Sequence, residues 1–134
     1  MARRQSNLGF LGMFGRSGDL RQLDAALRAV DLHPARMPEG AKLAIVNLMK
    51  DYYPDDPPAE AYTPVAAIIA YCAVGPRVFE HANGPALTAD TEARIEQALE
   101  DGDSPDARLV LLTLHAKLVS PATLARFELR AEED

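Results

Sequence analysis

The chain has 134 residues and a mass of 14.5 kDa, which is the size of one ordinary domain. Hydrophobic residues make up 48% and charged residues 25%, a globular composition that excludes a disordered chain. The 23 alanines and 17 leucines outnumber the 7 valines and 4 isoleucines, which favours helix over sheet. Collagen, disulfide scaffolds, membrane bundles and multidomain enzymes are excluded, and an all-α domain is predicted.

The net charge of −6 is unevenly distributed along the chain. Residues 1–36 contain six arginines and three aspartates, a local charge of +3, which leaves −9 for the remaining residues. An acidic body repels a phosphate backbone, so no nucleic-acid partner is expected.

Residues 1–16 form a basic, apolar N-terminal arm that precedes the predicted helical domain, residues 17–129. We expect the arm to pack on the protein's own core, to pair across a homodimer or to enter the groove of a partner. The candidate partner-binding residues are Phe10, Leu11, Met13 and Phe14. Alternatively, Met13 is the biological start. The segment has neither the length nor the cleavage site of a secretory signal, which predicts a cytoplasmic protein.

The first two predicted helices form an αα-hairpin. Ser17 or Gly18 is the expected cap of the first helix, and its buried stripe is predicted to consist of Leu20, Leu23, Leu27 and Val30. His33-Pro34 is expected to end this helix, and Pro38 to begin the second.

The middle of the chain predicts a central helix. Three prolines and four acids between Asp51 and Tyr62 indicate an extended surface connection. Thr63, followed by Pro64, is the expected cap of a third helix that runs through Val74. This helix is apolar on all sides, which is typical of a helix at the centre of a bundle. A short helical piece, Arg77 to Ala82, is expected to follow and to end at Asn83-Gly84.

Three further helices are predicted before the acidic tail, residues 130–134. Thr88 is the expected cap of the first, with Ile95 and Leu99 as its apolar contacts. The next opens at Asp103 or Ser104 with Pro105 and is apolar enough to be central, and a short last one follows Ser120-Pro121. The predicted fold is a single compact irregular bundle of about six helices. Two αα-hairpins around a central apolar helix are one arrangement that fits this order.

The polar residues least explained by caps or turns lie around the central helix. A histidine near a carboxylate can act as a general base and an arginine can hold an anion, so a cleft near residues 71–83 is a candidate ligand site. The alternative for residues 75–84 is a connecting turn with ordinary surface side chains. The alternative for His115, on a later helix, is a buried structural residue. The candidate ligand-binding residues are Tyr71, Arg77, Glu80, His81, Asn83 and His115.

No motif in the sequence carries an identified chemistry. The single cysteine, Cys72, has no disulfide partner and lies in an apolar run, and the three histidines lack metal-ligand spacing. No phosphate loop, catalytic constellation, metal, cofactor or transmembrane segment is predicted. We therefore favour a small non-enzymatic helical interaction or adaptor module of a bacterial-type cytoplasm, which binds itself as a homodimer or another protein. The alternative is a small-ligand-binding or enzymatic bundle.

Overall fold

The computed structural model describes the backbone of residues 7–53 and 57–129, and their side chains from residue 18 onward. These residues form helices and no strand, which confirms the predicted all-α bundle. The seven α-helices are α1 (Asn7–Ala29), α2 (Glu39–Tyr52), α3 (Tyr62–Val74), α4 (Pro76–Asn83), α5 (Pro85–Glu100), α6 (Pro105–His115) and α7 (Pro121–Phe127).

Helix α3 lies at the centre of the bundle, as predicted. The α1–α2 hairpin contacts it through α1, the α5–α6 hairpin contacts it through both helices, and α4 and α7 pack at its C-terminal end. Its side chains from Ala66 to Cys72 are all buried. Because these residues are apolar on every side of the helix, burying α3 among five others removes most of its apolar surface from water.

The first hairpin combines an apolar seam with ion pairs. Leu23 and Leu27 of α1, and Val30 directly after it, are buried as their spacing predicted, whereas Leu20 is half-buried. Lys42 of α2 is also buried, and its ammonium lies 3.2 Å from the Asp24 carboxylate. This pair compensates the loss of hydration of the lysine, because a buried charge is costly without a partner.

Helix α7 completes the C-terminal end of α3. The last carbonyls of a helix have no partner within it. Here the amide of Ser120 donates to the carbonyl of Cys72 (2.8 Å), and the hydroxyl of Thr123 lies 3.2 Å from the carbonyls of both Tyr71 and Cys72. Ser120 also caps α7 and Ser104 caps α6, in agreement with the sequence.

The first helix begins earlier than the sequence predicted. Helix α1 runs from Asn7, so neither Ser17 nor Gly18 is a cap, and residues 7–16 of the predicted arm belong to the helix. A glycine within a helix costs only about 1 kcal/mol, which is too little to end it at Gly18. The side chains of Phe10, Leu11, Met13 and Phe14 lie outside the described residues.

The connection before α3 is shorter than predicted. Helix α2 continues through Tyr52, and α3 begins at Tyr62 with Ala61 in the cap position, so Thr63 is not the cap. Tyr62 is fully buried and was wrongly placed in a surface segment. A proline within the first turn is compatible with a helix that starts two residues earlier, because the first amides have no helical acceptor.

Three predictions for the second hairpin are wrong. Gly84 occupies the cap position of α5, and the hydroxyl of Thr88 donates to the Gly84 carbonyl from within the helix (2.8 Å). Leu99 is 44% exposed, and Ala98 takes the buried position beside it. Helix α6 is not central, because Leu111 is 51% exposed.

Candidate functional site

A groove opens between the two hairpins at the N-terminal end of α3. It encloses about 430 Å³ and is lined by α2, α3, the start of α6 and the Arg94 side chain of α5. Its walls are mainly apolar, with Ile45, Met49, Val65 and Leu109 among the lining side chains. We call it the aromatic groove, after the two tyrosines that line its outer part, Tyr52 and Tyr53.

Both tyrosines are 39% exposed. Tyr52 is the last residue of α2, and the Tyr53 amide donates to the Met49 carbonyl as the chain leaves the helix (3.1 Å). The guanidinium carbon of Arg108 lies 5.9 Å from the centre of the Tyr52 ring, within the range of a cation–π interaction. This edge of the groove therefore presents aromatic rings next to a positive charge.

An ion pair lies at another edge of the groove. The Nε and Nη2 atoms of Arg94 donate to the two carboxylate oxygens of Asp106, at 3.0 and 2.8 Å. This bidentate pair joins α5 to the first turn of α6, where a carboxylate also interacts favourably with the helix dipole. Arg94 and Asp106 thus neutralise each other and fix the shape of the groove.

A second cavity lies next to the aromatic groove, and the two are separated by a ridge that consists of Pro64 and Arg94. It encloses about 400 Å³ between α3 and α5, and Leu87 and Thr91 contribute to its lining. Pro64 and Arg94 line both cavities. The two cavities are therefore adjacent, and both lie against the N-terminal half of α3.

Tyr71, the first candidate from the sequence, is an interior residue. Its hydroxyl donates to the Glu92 carboxylate (2.5 Å), and its ring centre lies 5.5 Å from that of Phe79 and 6.0 Å from that of Phe127. Burial first, and then the Glu92 carboxylate, raise the pKa of Tyr71 well above its ordinary value. The tyrosine therefore stays neutral and joins α3 to α4, α5 and α7.

The other candidates do not converge on a cavity. Arg77, Glu80 and His81 are exposed on α4, and His115 is exposed in the last turn of α6 rather than buried. The Asn83 amide donates to the Val30 carbonyl (3.0 Å), which ties α4 to the end of α1. None of the six candidates lines either cavity, so the structure places its groove away from residues 71–83.

Cys72 is buried in the interior of α3. Burial raises the pKa of its thiol to about 12, against a smaller lowering by a hydrogen bond to Thr113. A protonated, buried thiol is a poor nucleophile. Within the described residues, no three His, Cys, Asp or Glu side chains are grouped so that they would hold a metal ion.

One local feature of the sequence, the adjacent tyrosines at the end of α2, marks the edge of the groove. Tyr52 follows the helical spacing of Ile45 and Leu48, which is typical of the buried face of a helix. In the structure that face runs out from the core into the groove, where Leu48 is half-buried and Tyr52 is exposed. Adjacent tyrosines at the end of an amphipathic helix are thus the local sign of this site.

Comparison of the chain with protein-family models, with curated proteins and with solved structures finds no significant match. None of the described helices combines the length and the apolar character needed to cross a membrane.

Proposed function

We propose that the protein is a cytoplasmic, non-enzymatic interaction module that binds a partner protein through the aromatic groove. The observation that carries the proposal is the exposure of Tyr52 and Tyr53 beside an apolar groove of about 430 Å³. Tyrosine and arginine are enriched at the energetic centres of protein interfaces, since they bury a large area with few rotatable bonds.

The chemistry of the groove supports binding over catalysis. Catalytic acids, bases and nucleophiles usually have pKa values adjusted by their surroundings. In the part of the chain that the structure describes, the pKa is strongly raised at Tyr71 and Cys72, which are buried and line neither cavity. The charged pair in the groove, Arg94 and Asp106, is held by two hydrogen bonds and is suited to a structural role.

Site-specific photo-crosslinking tests the proposal. A benzophenone amino acid at position 53 should form one discrete protein adduct in cells, whereas the same group at Val78, an exposed position on α4, should not. The additional substitution Tyr52→Ala should remove the adduct and lower the melting temperature only slightly, because Tyr52 lies at the edge of the core and is 39% exposed. Equal adducts at positions 53 and 78 would contradict the proposal.

A small-ligand-binding bundle is the second candidate, now located at the groove rather than near residues 71–83. A volume of about 430 Å³ lies within the range of about 300–1,000 Å³ that is usual for small-molecule sites. Native mass spectrometry separates the two candidates. Extra mass of a few hundred daltons that is lost on denaturation would favour the ligand; bound protein would favour the interaction module.

A further inference from the structure

We infer that the aromatic groove binds a peptide segment in which an acidic side chain lies close to an apolar one, and that Arg108 receives the carboxylate. The inference rests on the proposed function and gives the partner its chemistry. It starts from the contrast between the two arginines at the groove. Arg94 has its carboxylate partner in Asp106, whereas Arg108 makes no ion pair within the described residues.

Arg108 is exposed at the edge of the groove, where a carboxylate can reach its guanidinium. The carbon of its guanidinium lies 5.9 Å from the centre of the Tyr52 ring, and Tyr52 lines the groove. Contact with an aromatic face restricts the guanidinium and leaves its N–H edges available for a bidentate bond. An acidic side chain would therefore meet a positioned donor at the edge of an apolar cavity.

The two nearest acids on the described parts of α2 and α6, Asp51 and Asp106, do not pair with this arginine. Asp106 uses both carboxylate oxygens for Arg94. Asp51 is exposed, and on α2 it lies about 100° around the helix from Tyr52. Within the residues that the structure describes, the Arg108 guanidinium therefore has no carboxylate partner; Asp55 and Asp56 lie outside them.

The presence of two adjacent cavities favours a chain segment over a compact ligand. The second cavity, of about 400 Å³, continues the groove beyond Pro64 and Arg94, so apolar side chains on both sides of this ridge would each find space. The arginine-rich N-terminal arm of a second copy is a poor occupant, because it would add positive charge next to Arg108.

Selection of peptides from a random 12-residue phage library against the full-length protein tests the inference. The selected peptides should share an Asp or Glu close to an apolar residue. Arg108→Gln should weaken their binding by about threefold to tenfold. This loss is larger than that of a fully exposed ion pair and smaller than that of a fully desolvated one. Arg108→Glu should shift a new selection towards Lys and Arg. Arg77→Gln, at an exposed arginine on α4, is the matched control and should change neither.

The possible results distinguish this inference from the proposed function. Peptides that require Tyr52 and Tyr53 but lack acidic residues, or that bind Arg108→Gln unchanged, would overturn the inference and leave the function standing. A selection without any peptide that depends on the two tyrosines would overturn both. The chain's own Asp55 and Asp56 are tested by replacing both with Asn. If Arg108→Gln no longer weakens peptide binding when both aspartates are replaced, Arg108 pairs with Asp55 or Asp56 of its own chain, and the inference is wrong.

Discussion

Burial gives tyrosines of the same chain different roles. Tyr71 is fully enclosed, and its hydroxyl is committed to Glu92, so its whole side chain contributes to the stability of the bundle. Tyr52 and Tyr53 keep more than a third of their surface exposed at the groove. A partner that covers Tyr52 and Tyr53 would gain apolar contact, and the internal hydrogen bond of Tyr71 would stay intact.

The buried thiol predicts how stability depends on pH. Cys72 has a pKa of about 12 in the folded chain, against an ordinary value of 9.0. Folding therefore favours the protonated thiol. The resulting stability is fully present below pH 9 and decreases as the pH rises from about 9 towards 12.

Urea unfolding of the wild type and of Cys72→Ala measures this effect. Linkage gives a loss of about 1 kcal/mol between pH 8 and pH 10 that is present in the wild type and absent in the variant. The comparison of the two pH dependences cancels the contributions of other groups. Parallel curves, or rapid reaction of a thiol reagent with the folded chain at pH 8, would show that the thiol is not protected.

At the scale of the elements, two glycines set the joints at the ends of α4. Gly75 and Gly84 have φ values of +94° and +91° and ψ values near 160°, a region that is essentially restricted to glycine. A Cβ atom at Gly75 would lie 3.1 Å from the Ser120 hydroxyl and 3.2 Å from the Ala122 methyl group, whereas one at Gly84 would meet open space.

Alanine substitution at each joint separates backbone strain from helix packing. Gly84→Ala should lower the free energy of unfolding by about 1–3 kcal/mol through strain alone. Gly75→Ala carries the same strain and also displaces the start of α7, so it should cost more. Chemical denaturation of both variants provides the measurement, and equal losses would mean that α7 shifts at no cost.

The sequence predicts the elements better than their ends or the groove. Proline and serine at positions 104–105 and 120–121 are local signals, so the start of α6 and α7 could be predicted directly. The ends of α1 and α6 could not, because the left-handed residues there, Asp31 and Lys117, are not glycines. Tyr52 and Tyr53 mark one edge of the aromatic groove, but the groove itself could not be predicted because its walls come from helices distant in sequence.

At the scale of the whole molecule, the N-terminal arm remains the candidate for self-association. Native mass spectrometry of the full-length chain should give twice the chain mass, and removal of residues 1–12 should shift it to the monomer, because Phe10 and Leu11 are lost. Replacing Arg3 and Arg4 with Ser is the control, since it changes charge and leaves every apolar residue in place. An unchanged mass after the deletion would exclude these twelve residues from the contact.

The contact of α7 with the end of α3 has a consequence for how the chain is made. Ser120 and Thr123, which satisfy the Tyr71 and Cys72 carbonyls, follow them by about fifty positions. During synthesis the central helix therefore emerges from the ribosome long before the residues that close it. Until then its apolar C-terminal turn is accessible to chaperones and proteases. A transcript that stops short of α7 would yield a product that cellular quality control can recognise and degrade.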